Sequence, residues 1–456
     1  MSASLARRAA HDVVSRVRER TGYAHEVLDA RMRGANLSAA DTALATRLAY
    51  GTLQTEGTLD EILARYLEGK KVEPRVRDAL RLSAYEILFM HTPSRAAVHQ
   101  GVELVRAVRP QAAGLANAVL RRVSDDAAGF PWGDPETDTA ALARLHGHPL
   151  WLAQLWVDEL GRTDAAALMA ADNEPAPLYV AVNPFGGPSV AAEAILERDG
   201  AAPRACPIPG CFELGNGAAA VKGTAIRDGL AFVTDESAQF VAGLVPVGAG
   251  TSVVEIGSGR GTKTILIQGR AVARGGPAII YAVDLHDFKA RLLGQRLARF
   301  DVPGVTALVG DARDLASVPG IPAAGSVDAV FIDAPCSGLG TLRRHPEKRW
   351  RVTPDDVEAL GRLGSELLSQ AASLVRTGGV VVYSTCTVTR RENAEVVDSF
   401  LASELGGEFR VDPLGDEAPG DWRRFVTTEG YFCSFPVSGG PDGHFAARLV
   451  RDQHGS

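Results

Sequence analysis

Two cysteines lie just past apolar runs, in a chain of 456 residues that holds only five cysteines. Cys336 follows "VDAVFIDAP" and Cys386 follows "GGVVVYST", and Asp333 stands in the first of these stretches. Thiols serve covalent chemistry as nucleophiles, for which they must be ionised in polar or electropositive surroundings. The alternative is two ordinary buried cysteines, since free cysteine is often buried. The placement favours chemistry at the ends of two strands.

A glycine-rich turn and two further acids follow other apolar runs. Asp284 ends one run, where a carboxylate can accept both hydroxyls of a ribose, and Asp311 ends another, where it can accept an adenine amino group. Each acid alone is typical of a cap or turn, but acids at successive strand ends are not predicted by capping. We therefore expect a nucleoside-containing cofactor, although the turn alone also suits a dinucleotide. The other expected cofactor-binding residues are Asp333, at the end of the fourth run, and five residues of the turn, Glu255, Gly257, Ser258, Gly259 and Gly261.

The elements that must position these residues are five β-branched runs. They read "TSVVEI", "AIIYAVDL", "VTALV", "DAVFID" and "GGVVVYST". Runs that are apolar almost throughout indicate strands buried on both faces, which predicts a parallel sheet covered by helices, a Rossmann-like α/β domain. In such a sheet ligands bind at the carboxyl ends of the strands, where the residues named above concentrate.

Two helices are predicted close to the cysteines. Thr353 as N-cap and Pro354 at the first helical position open one helix, which runs to a stop at Gly378. Thr389 and Glu392 have the spacing of a capping box, which would open a second helix over "RENAEVVDSFLA".

The chain divides into three predicted domains. Residues 1–132 show helical spacing throughout and predict an all-helical domain, with seven arginines against four acids in residues 1–34, either a basic face or a solvated surface. Residues 138–240 mix a helix with short apolar runs and predict a small α+β connector. It contains Cys206 and Cys211, a CxxxxC pair with no histidine nearby, for which we expect apolar roles and no metal. Residues 241–456 form the α/β domain.

Composition bounds the remaining possibilities. No apolar run approaches the roughly 18 residues of a membrane span, and the first residues lack the apolar middle of a secretion signal, so we expect a cytoplasmic protein with no membrane partner. An odd number of scattered cysteines argues against a disulfide framework. The net charge of −7 does not favour nucleic-acid binding, which would have to rest on local basic patches.

The chain resembles the Sun/Fmu-type RNA cytosine-C5 methyltransferases, in particular bacterial enzymes that act on small-subunit ribosomal RNA. The resemblance is carried by "DAPCSGLGTLRRHPEKRW", "YSTCTVTRREN", "VTDESAQ" and the closing "DGHFAARLVR". The front part resembles a NusB-like RNA-binding domain. The sequence departs from the family in the turn after the first strand, where "IGSGRGTKT" replaces the usual Cys-Ala-Ala-Pro-Gly-Gly-Lys-Thr.

The resemblance implies a reaction and roles for four residues. The cofactor is then S-adenosylmethionine, and the substrate is a cytosine in 16S ribosomal RNA. Cys386 would attack C6 of the base, which activates C5 for methylation, and Cys336 would assist release of the product. Asp333 would hydrogen-bond the cytosine edge, and Lys263 would lie beside the reacting base. We expect a monomer that needs no metal.

A basic stretch after the first cysteine is the predicted RNA contact. "TLRRHPEKRWR" carries five basic residues against Glu347, a local charge of about +4. The alternative for such a run is an ordinary solvated loop. The target base must leave its stack to expose C6, which favours a loop or bulge of the RNA. The residues predicted to bind RNA are Arg343, Arg344, Lys348, Arg349 and Trp350.

Two other functions compete with this interpretation. A non-catalytic RNA-binding or ribosome-assembly protein would result if the altered glycine turn no longer held the cofactor. A DNA cytosine methyltransferase would use the Pro-Cys thiol as its nucleophile and would not need a Thr-Cys motif, so Cys386 argues against it.

Overall fold

A computed structural model describes residues 3–20, 24–33, 37–187 and 189–452. The chain forms two compact units, and the first combines Met1–Pro175 with the short segment Leu342–Thr353. The second unit comprises Ala176–Thr341 and Pro354–Ser456. These units differ from the predicted domain limits, because residues 138–175 belong to the helical unit and because a segment after Cys336 is inserted into it.

The first unit is helical over its described residues, as predicted. Apolar side chains at helical spacing form its core, in which Leu48, Leu59, Ile62, Leu80 and Leu82 are fully buried. Its helices are α1 Leu5–Arg20, α2 Ala24–Arg33, α3 Ala39–Gln54, α4 Glu56–Leu67, α5 Pro74–Leu88, α6 Ser94–Val108, α7 Ala113–Asp125, α8 Thr139–His146, α9 Leu150–Leu160 and α10 Arg162–Ala171, with 3-10 turns at Pro110–Ala112, Ala127–Gly129 and Pro346–Trp350.

Several arginines near the amino terminus are paired with acids. Arg18 contacts the buried Asp78 at 3.0 Å, and Arg31 contacts Asp12 at 2.9 Å. These pairs neutralise part of the predicted basic face, of which residues 1–2, 21–23 and 34 lie outside the described residues. No helix in the described ranges is long and apolar enough to cross a membrane.

The second unit begins with the predicted α+β connector. Its strands form an antiparallel sheet in the order β2-β3-β1-β4, in which Val180 and Ala181 of the central β1 are buried. Its elements are β1 Tyr179–Val182, α11 Ser189–Arg198, β2 Pro203–Ala205, β3 Cys211–Leu214, α12 Gly217–Lys222, α13 Thr224–Arg227 and β4 Ala231–Val233.

The rest of the second unit is built on a mixed sheet in the order β10-β12-β9-β8-β5-β6-β7, with β11 paired to β12. The five predicted parallel strands are confirmed as β5 to β9. The closing motif forms β12, an antiparallel strand beside β9 that the sequence analysis did not predict. The strands are β5 Ser252–Ile256, β6 Ile279–Asp284, β7 Val305–Val309, β8 Val327–Asp333, β9 Val375–Thr385, β10 Phe409–Val411, β11 Phe432–Cys433 and β12 Phe445–Arg451.

Helices and 3-10 turns accompany this sheet. The helix predicted to begin at Pro354 does so, but it ends at Leu374, and the chain passes directly into β9. Gly378, at a φ of 75°, lies in an irregularity of β9 where its pairing with β8 shifts register, so it does not close the helix. The helices are α14 Glu236–Gly243, α15 Thr262–Ala273, α16 Asp287–Arg299, α17 Pro354–Leu374 and α18 Ala394–Leu401, with 3-10 turns at Ala312–Ser317, Leu339–Thr341, Arg390–Glu392, Gly406–Glu408 and Gly420–Phe425.

Candidate active site

The strand order creates a crevice at the carboxyl ends of β5 and β8. From β5 the chain continues to β6 and β7 on one side, whereas β8 and β9 lie on the other, so the strand order reverses here. The turn after β5 approaches the end of β8 closely, since a Cβ at Gly257 would collide with the carbonyl oxygen of Asp333. Gly257 also has a φ of 81°, which a residue with a side chain rarely adopts. Glycine is therefore required at the centre of the site.

The two predicted catalytic cysteines meet at this edge. The sulfur atoms of Cys336 and Cys386 lie 3.3 Å apart, and the backbone N–H of Cys386 donates to the Cys336 sulfur at 3.3 Å. Both side chains are half-buried. Hydrogen bonding with Cys386 and burial hold the pKa of the Cys336 thiol well above its usual range. Cys336 therefore keeps its proton.

Lys263 and Asp333 form an ion pair beside the cysteines, with 2.6 Å between Nζ and Oδ2. Burial opposes the charge on Lys263, but Asp333 and then Cys386 and Glu255 outweigh it, so that the pKa of Lys263 is raised. Burial also raises the pKa of Glu255 to about 7, and its side chain is only 1% exposed. The lysine is thus a stable cation within electrostatic range of the Cys386 sulfur.

Glu392 ties the two cysteine loops together. Its carboxylate accepts the backbone N–H of Ser337 and the hydroxyl of Ser337, both at 2.7 Å. It also accepts the Thr389 hydroxyl at 2.7 Å and the Thr387 hydroxyl at 3.3 Å. The predicted capping box is wrong, because Thr389 makes no capping hydrogen bond, Glu392 is turned toward the loop of Cys336, and α18 begins only after Asn393.

The backbone after β9 is held by the neighbouring residue Asn393. Its amide oxygen accepts the Thr385 hydroxyl at 2.6 Å, and its amide nitrogen donates to the Thr387 carbonyl at 3.0 Å. The Tyr383 hydroxyl donates to the Glu392 carbonyl at 2.7 Å. The loop that carries Cys386 is therefore fixed on both sides by buried polar contacts.

A second buried network joins two motifs that the sequence analysis noted without assigning roles. Asp235 caps α14 by accepting the backbone N–H of Ser237 at 3.0 Å, and it also accepts the N–H of Asp442 at 3.1 Å. The Ser237 hydroxyl lies 2.8 Å from Nδ1 of His444. Burial and then the charge of Lys263 lower the pKa of His444 to about 4, so His444 is neutral next to the site. The motifs "VTDESAQ" and "DGHF" are the features of the sequence that point to this network.

The glycine turn has the features of a cofactor cradle. Asp284 accepts the backbone N–H of Gly259 at 3.0 Å and that of His286 at 2.9 Å, which leaves further lone pairs on its carboxylate. The Ser258 hydroxyl is buried and has no hydrogen-bond partner among the described residues. Gly261 has a φ of 79° at the start of α15. An open backbone, a poised carboxylate and an unsatisfied hydroxyl fit a nucleoside cofactor that bears hydroxyl and amino groups.

Asp311 occupies the predicted position at the end of β7, but it has a partner of its own. Arg313 donates to its carboxylate through Nε at 3.0 Å and through its backbone N–H at 2.9 Å. These hydrogen bonds lower the pKa of Asp311. Its contact with an adenine stays a prediction.

The basic stretch belongs to the first unit, and much of it is anchored there. The guanidinium of Arg349 is fully buried and donates to the carbonyls of Gln54, Gly147 and Asp172, each at 3.1 Å. Burial lowers its pKa to about 10. Arg349 was therefore wrongly expected to face RNA, because a buried arginine surrounded by carbonyls holds the fold together.

The other residues of this stretch differ in exposure. Arg343 is also buried, whereas Arg344, Lys348 and Trp350 are half-buried. The Trp350 indole donates to the Gln54 carbonyl at 2.9 Å. Contact between RNA and the half-buried residues stays a prediction, while Arg343, like Arg349, lacks the exposure that such contact needs.

The fold and the site define a methyltransferase that uses S-adenosylmethionine. Residues 244–450 match the family model "16S rRNA methyltransferase RsmB/F", and residues 4–125 match the "NusB family" model. The Mycobacterium tuberculosis protein Rv1407 is 35% identical over 410 residues, which cover 87% of this chain and 86% of that protein.

Two further comparisons cover nearly the whole chain. The ribosomal RNA small subunit methyltransferase B of Thermus thermophilus is 31% identical over 434 residues, 95% of this chain and 94% of that protein. The crystal structure of PH0851 shares the fold with a TM-score of 0.80 at 22% identity, over 99% of this chain and 100% of that chain. The chain belongs to the RsmB/F family of methyltransferases, with a NusB-like domain in front.

Proposed function

We propose that this protein methylates C5 of a cytosine in 16S ribosomal RNA through a transient bond between Cys386 and C6 of the base. The observation that carries the proposal is the pairing of two thiols at 3.3 Å beside a lysine cation. A cysteine that is buried only for packing needs no second thiol in contact with it. An addition followed by an elimination needs one group that attacks the base and a second group that removes a proton from it.

The charges favour Cys386 as the nucleophile. Cys336 keeps its proton, and the nearby cation of Lys263 favours negative charge on the Cys386 sulfur. The thiolate adds to C6, and the π-electron pair of the C5–C6 bond moves to C5 and the adjoining ring atoms, while Asp333 would accept a hydrogen bond from the amino group at the edge of the base. C5 thereby becomes electron-rich.

S-adenosylmethionine, held by the glycine turn and Asp284, supplies an electrophilic methyl group when it is bound. Once Cys386 is bonded to carbon, neither its hydrogen bond nor its charge raises the pKa of the Cys336 thiol any longer. The N–H of Cys386 still donates to the Cys336 sulfur, so Cys336 can release its own proton to solvent, and the thiolate that remains accepts the C5 proton. Loss of that proton restores the C5–C6 double bond and expels the Cys386 thiolate.

RNA contact rests on the NusB-like unit and on Arg344, Lys348 and Trp350. Half-buried basic residues bind phosphates without reading sequence, and an aromatic ring can stack on an unpaired base. The base must be unstacked before a thiolate can reach C6, which favours a loop or bulge as the target.

Two substitutions test the assignment of roles. Cys386→Ser should abolish methyl transfer, whereas Cys336→Ala should permit addition but block elimination, which leaves an RNA–protein adduct that survives denaturing electrophoresis. An adduct with Cys386→Ser and none with Cys336→Ala would reverse the roles. Bisulfite mapping of ribosomal RNA from cells with and without the gene would identify the modified cytosine.

The alternative is a non-catalytic RNA-binding or ribosome-assembly protein. The departure in the glycine turn motivates it, because the family's usual residues are replaced there. Calorimetry of S-adenosylmethionine binding distinguishes the two functions, since the assembly protein would show no heat of binding.

A further inference from the structure

Cys206, Cys211 and Glu236 bring two thiols and a carboxyl group together outside the active site. Cys206 lies directly opposite Cys211 at the end of the β2–β3 hairpin, where the N–H of Cys206 donates to the Cys211 carbonyl at 3.0 Å. Glu236 is the first residue of α14. The two sulfur atoms and a carboxylate oxygen all lie within 4.8 Å of one another.

The carboxyl group of Glu236 is buried, and one of its oxygen atoms has no hydrogen-bond partner among the described residues. Its side chain is 5% exposed, and the oxygen atom concerned is Oε1. Leaving a buried carboxyl oxygen unsatisfied is costly, so such groups are nearly always hydrogen-bonded or bound to a cation. A cation at this position would supply the missing partner.

The surroundings of the thiols suit a ligand as well. Nε2 of Gln239 donates to the Cys211 sulfur at 3.1 Å, the kind of outer contact that orients a metal-bound thiolate. Cys206 is half-buried, and the hairpin loop Pro207–Gly210 lines a cavity of about 480 Å³ together with Gln239. The partial exposure of Cys206 lets an ion reach its sulfur from solvent.

We propose that Cys206, Cys211 and Glu236 bind a thiophilic divalent cation of the zinc class. In a tetrahedral site with metal–sulfur bonds of about 2.3 Å, the two sulfur atoms lie about 3.8 Å apart, which the observed cluster reaches with little movement. Binding displaces the two thiol protons to solvent and involves no change of oxidation state. The fourth position is taken by water.

The cation would connect the β2–β3 hairpin to the start of α14, the segment that contacts Asp442 and His444. Glu236 lies between Asp235 and Ser237, whose side chains hold Asp442 and His444. The sequence analysis expected no metal because the CxxxxC pair has no histidine nearby, but the third ligand comes from a different element. The ion would join two elements, since its ligands come from the β2–β3 hairpin and from α14.

Cobalt binding to the full chain tests the proposal. Cys336→Ala and Cys386→Ala are introduced together, so that the catalytic thiols cannot contribute, and the reduced, metal-free protein is titrated with Co²⁺. A thiolate-to-cobalt charge-transfer band should saturate at one equivalent. Cys206→Ser should weaken binding by at least about tenfold and reduce the band.

Two matched changes complete the test. Glu236→Gln should weaken Co²⁺ binding while retaining the thiolate band, and Cys433→Ser, which alters a half-buried cysteine of β11, should change neither. In the unaltered chain Zn²⁺ should protect Cys206 from alkylation by iodoacetamide, a readout that needs no variant to fold. Absence of the band, or a band that persists when Cys206 and Cys211 are both replaced, would overturn the proposal.

Discussion

Replacing Glu392 tests a residue that holds the active-site loops in place but takes no part in the proposed reaction. In Glu392→Ala the backbone N–H of Ser337 loses its carboxylate acceptor in a buried position, which costs about 1–3 kcal/mol. The hydroxyls of Ser337 and Thr387 still hydrogen-bond each other at 2.8 Å. The loss of their hydrogen bonds to Glu392 therefore adds less to the destabilisation. We expect the free energy of unfolding of the second unit to fall by about 3 kcal/mol.

Catalysis should suffer more than binding. Glu392 fixes the loop of Cys336 relative to that of Cys386, and a displacement of about 1 Å can cost about 10²-fold in rate. We expect kcat of Glu392→Ala to fall by about that factor while the affinity for S-adenosylmethionine is retained. In Glu392→Gln the amide oxygen can still accept the Ser337 N–H, so both effects should be smaller, near 1 kcal/mol for stability.

The assays are thermal unfolding, single-turnover methyl transfer and the rate at which diamide oxidises the two active-site thiols to a disulfide. Oxidation should be fast at the observed sulfur separation of 3.3 Å and slower in Glu392→Ala. Glu395→Ala is the matched control, because this acid lies on the same segment with its side chain 46% exposed. If Glu392→Ala behaved like Glu395→Ala in all three assays, the proposed link between the loops would be refuted.

Three further outcomes are expected. Lys263→Met should shift the pH dependence of Cys386 adduct formation to higher pH, because removal of the cation disfavours the thiolate; an unchanged profile would exclude that role. Asp284→Ala should weaken S-adenosylmethionine binding about tenfold or more by calorimetry, since it removes both the proposed contact with the cofactor and the acceptor that shapes the turn. Arg349→Ala should lower the free energy of unfolding of the first unit by about 3 kcal/mol, with no change in the salt dependence of RNA binding. Lys348→Ala should reduce that salt dependence and leave the free energy of unfolding unchanged.

The sequence identified the strands well because the signal for them is local. A run such as "GGVVVYST" is apolar at nearly every central position, and only a strand covered on both faces accommodates it. The strand β12 was missed because its place in the sheet depends on antiparallel pairing with β9, a contact between distant parts of the chain. The resemblance of the cysteine motifs then indicated the family.

The roles of single polar residues were less predictable. Glu392 has the spacing of a capping box, yet its carboxylate is used by Ser337, 55 positions earlier in the chain. Arg349 has the composition of an RNA contact, yet its guanidinium donates to Gln54, 295 positions away. A charged side chain carries no local mark of whether its partner is solvent, RNA or the protein itself.

The sequence by itself determined the all-helical front part, the parallel strands and the cluster of reactive residues at their ends, because hydrophobic periodicity fixes which residues must be buried. Only the tertiary structure decided that the sulfur atoms of Cys336 and Cys386 meet at 3.3 Å, that Lys263 pairs with Asp333, and that the basic stretch packs within the helical unit. Those contacts join residues far apart in the chain, and they exist because burying the strands and helices brings their ends together, after which each buried polar group takes the nearest partner that satisfies it.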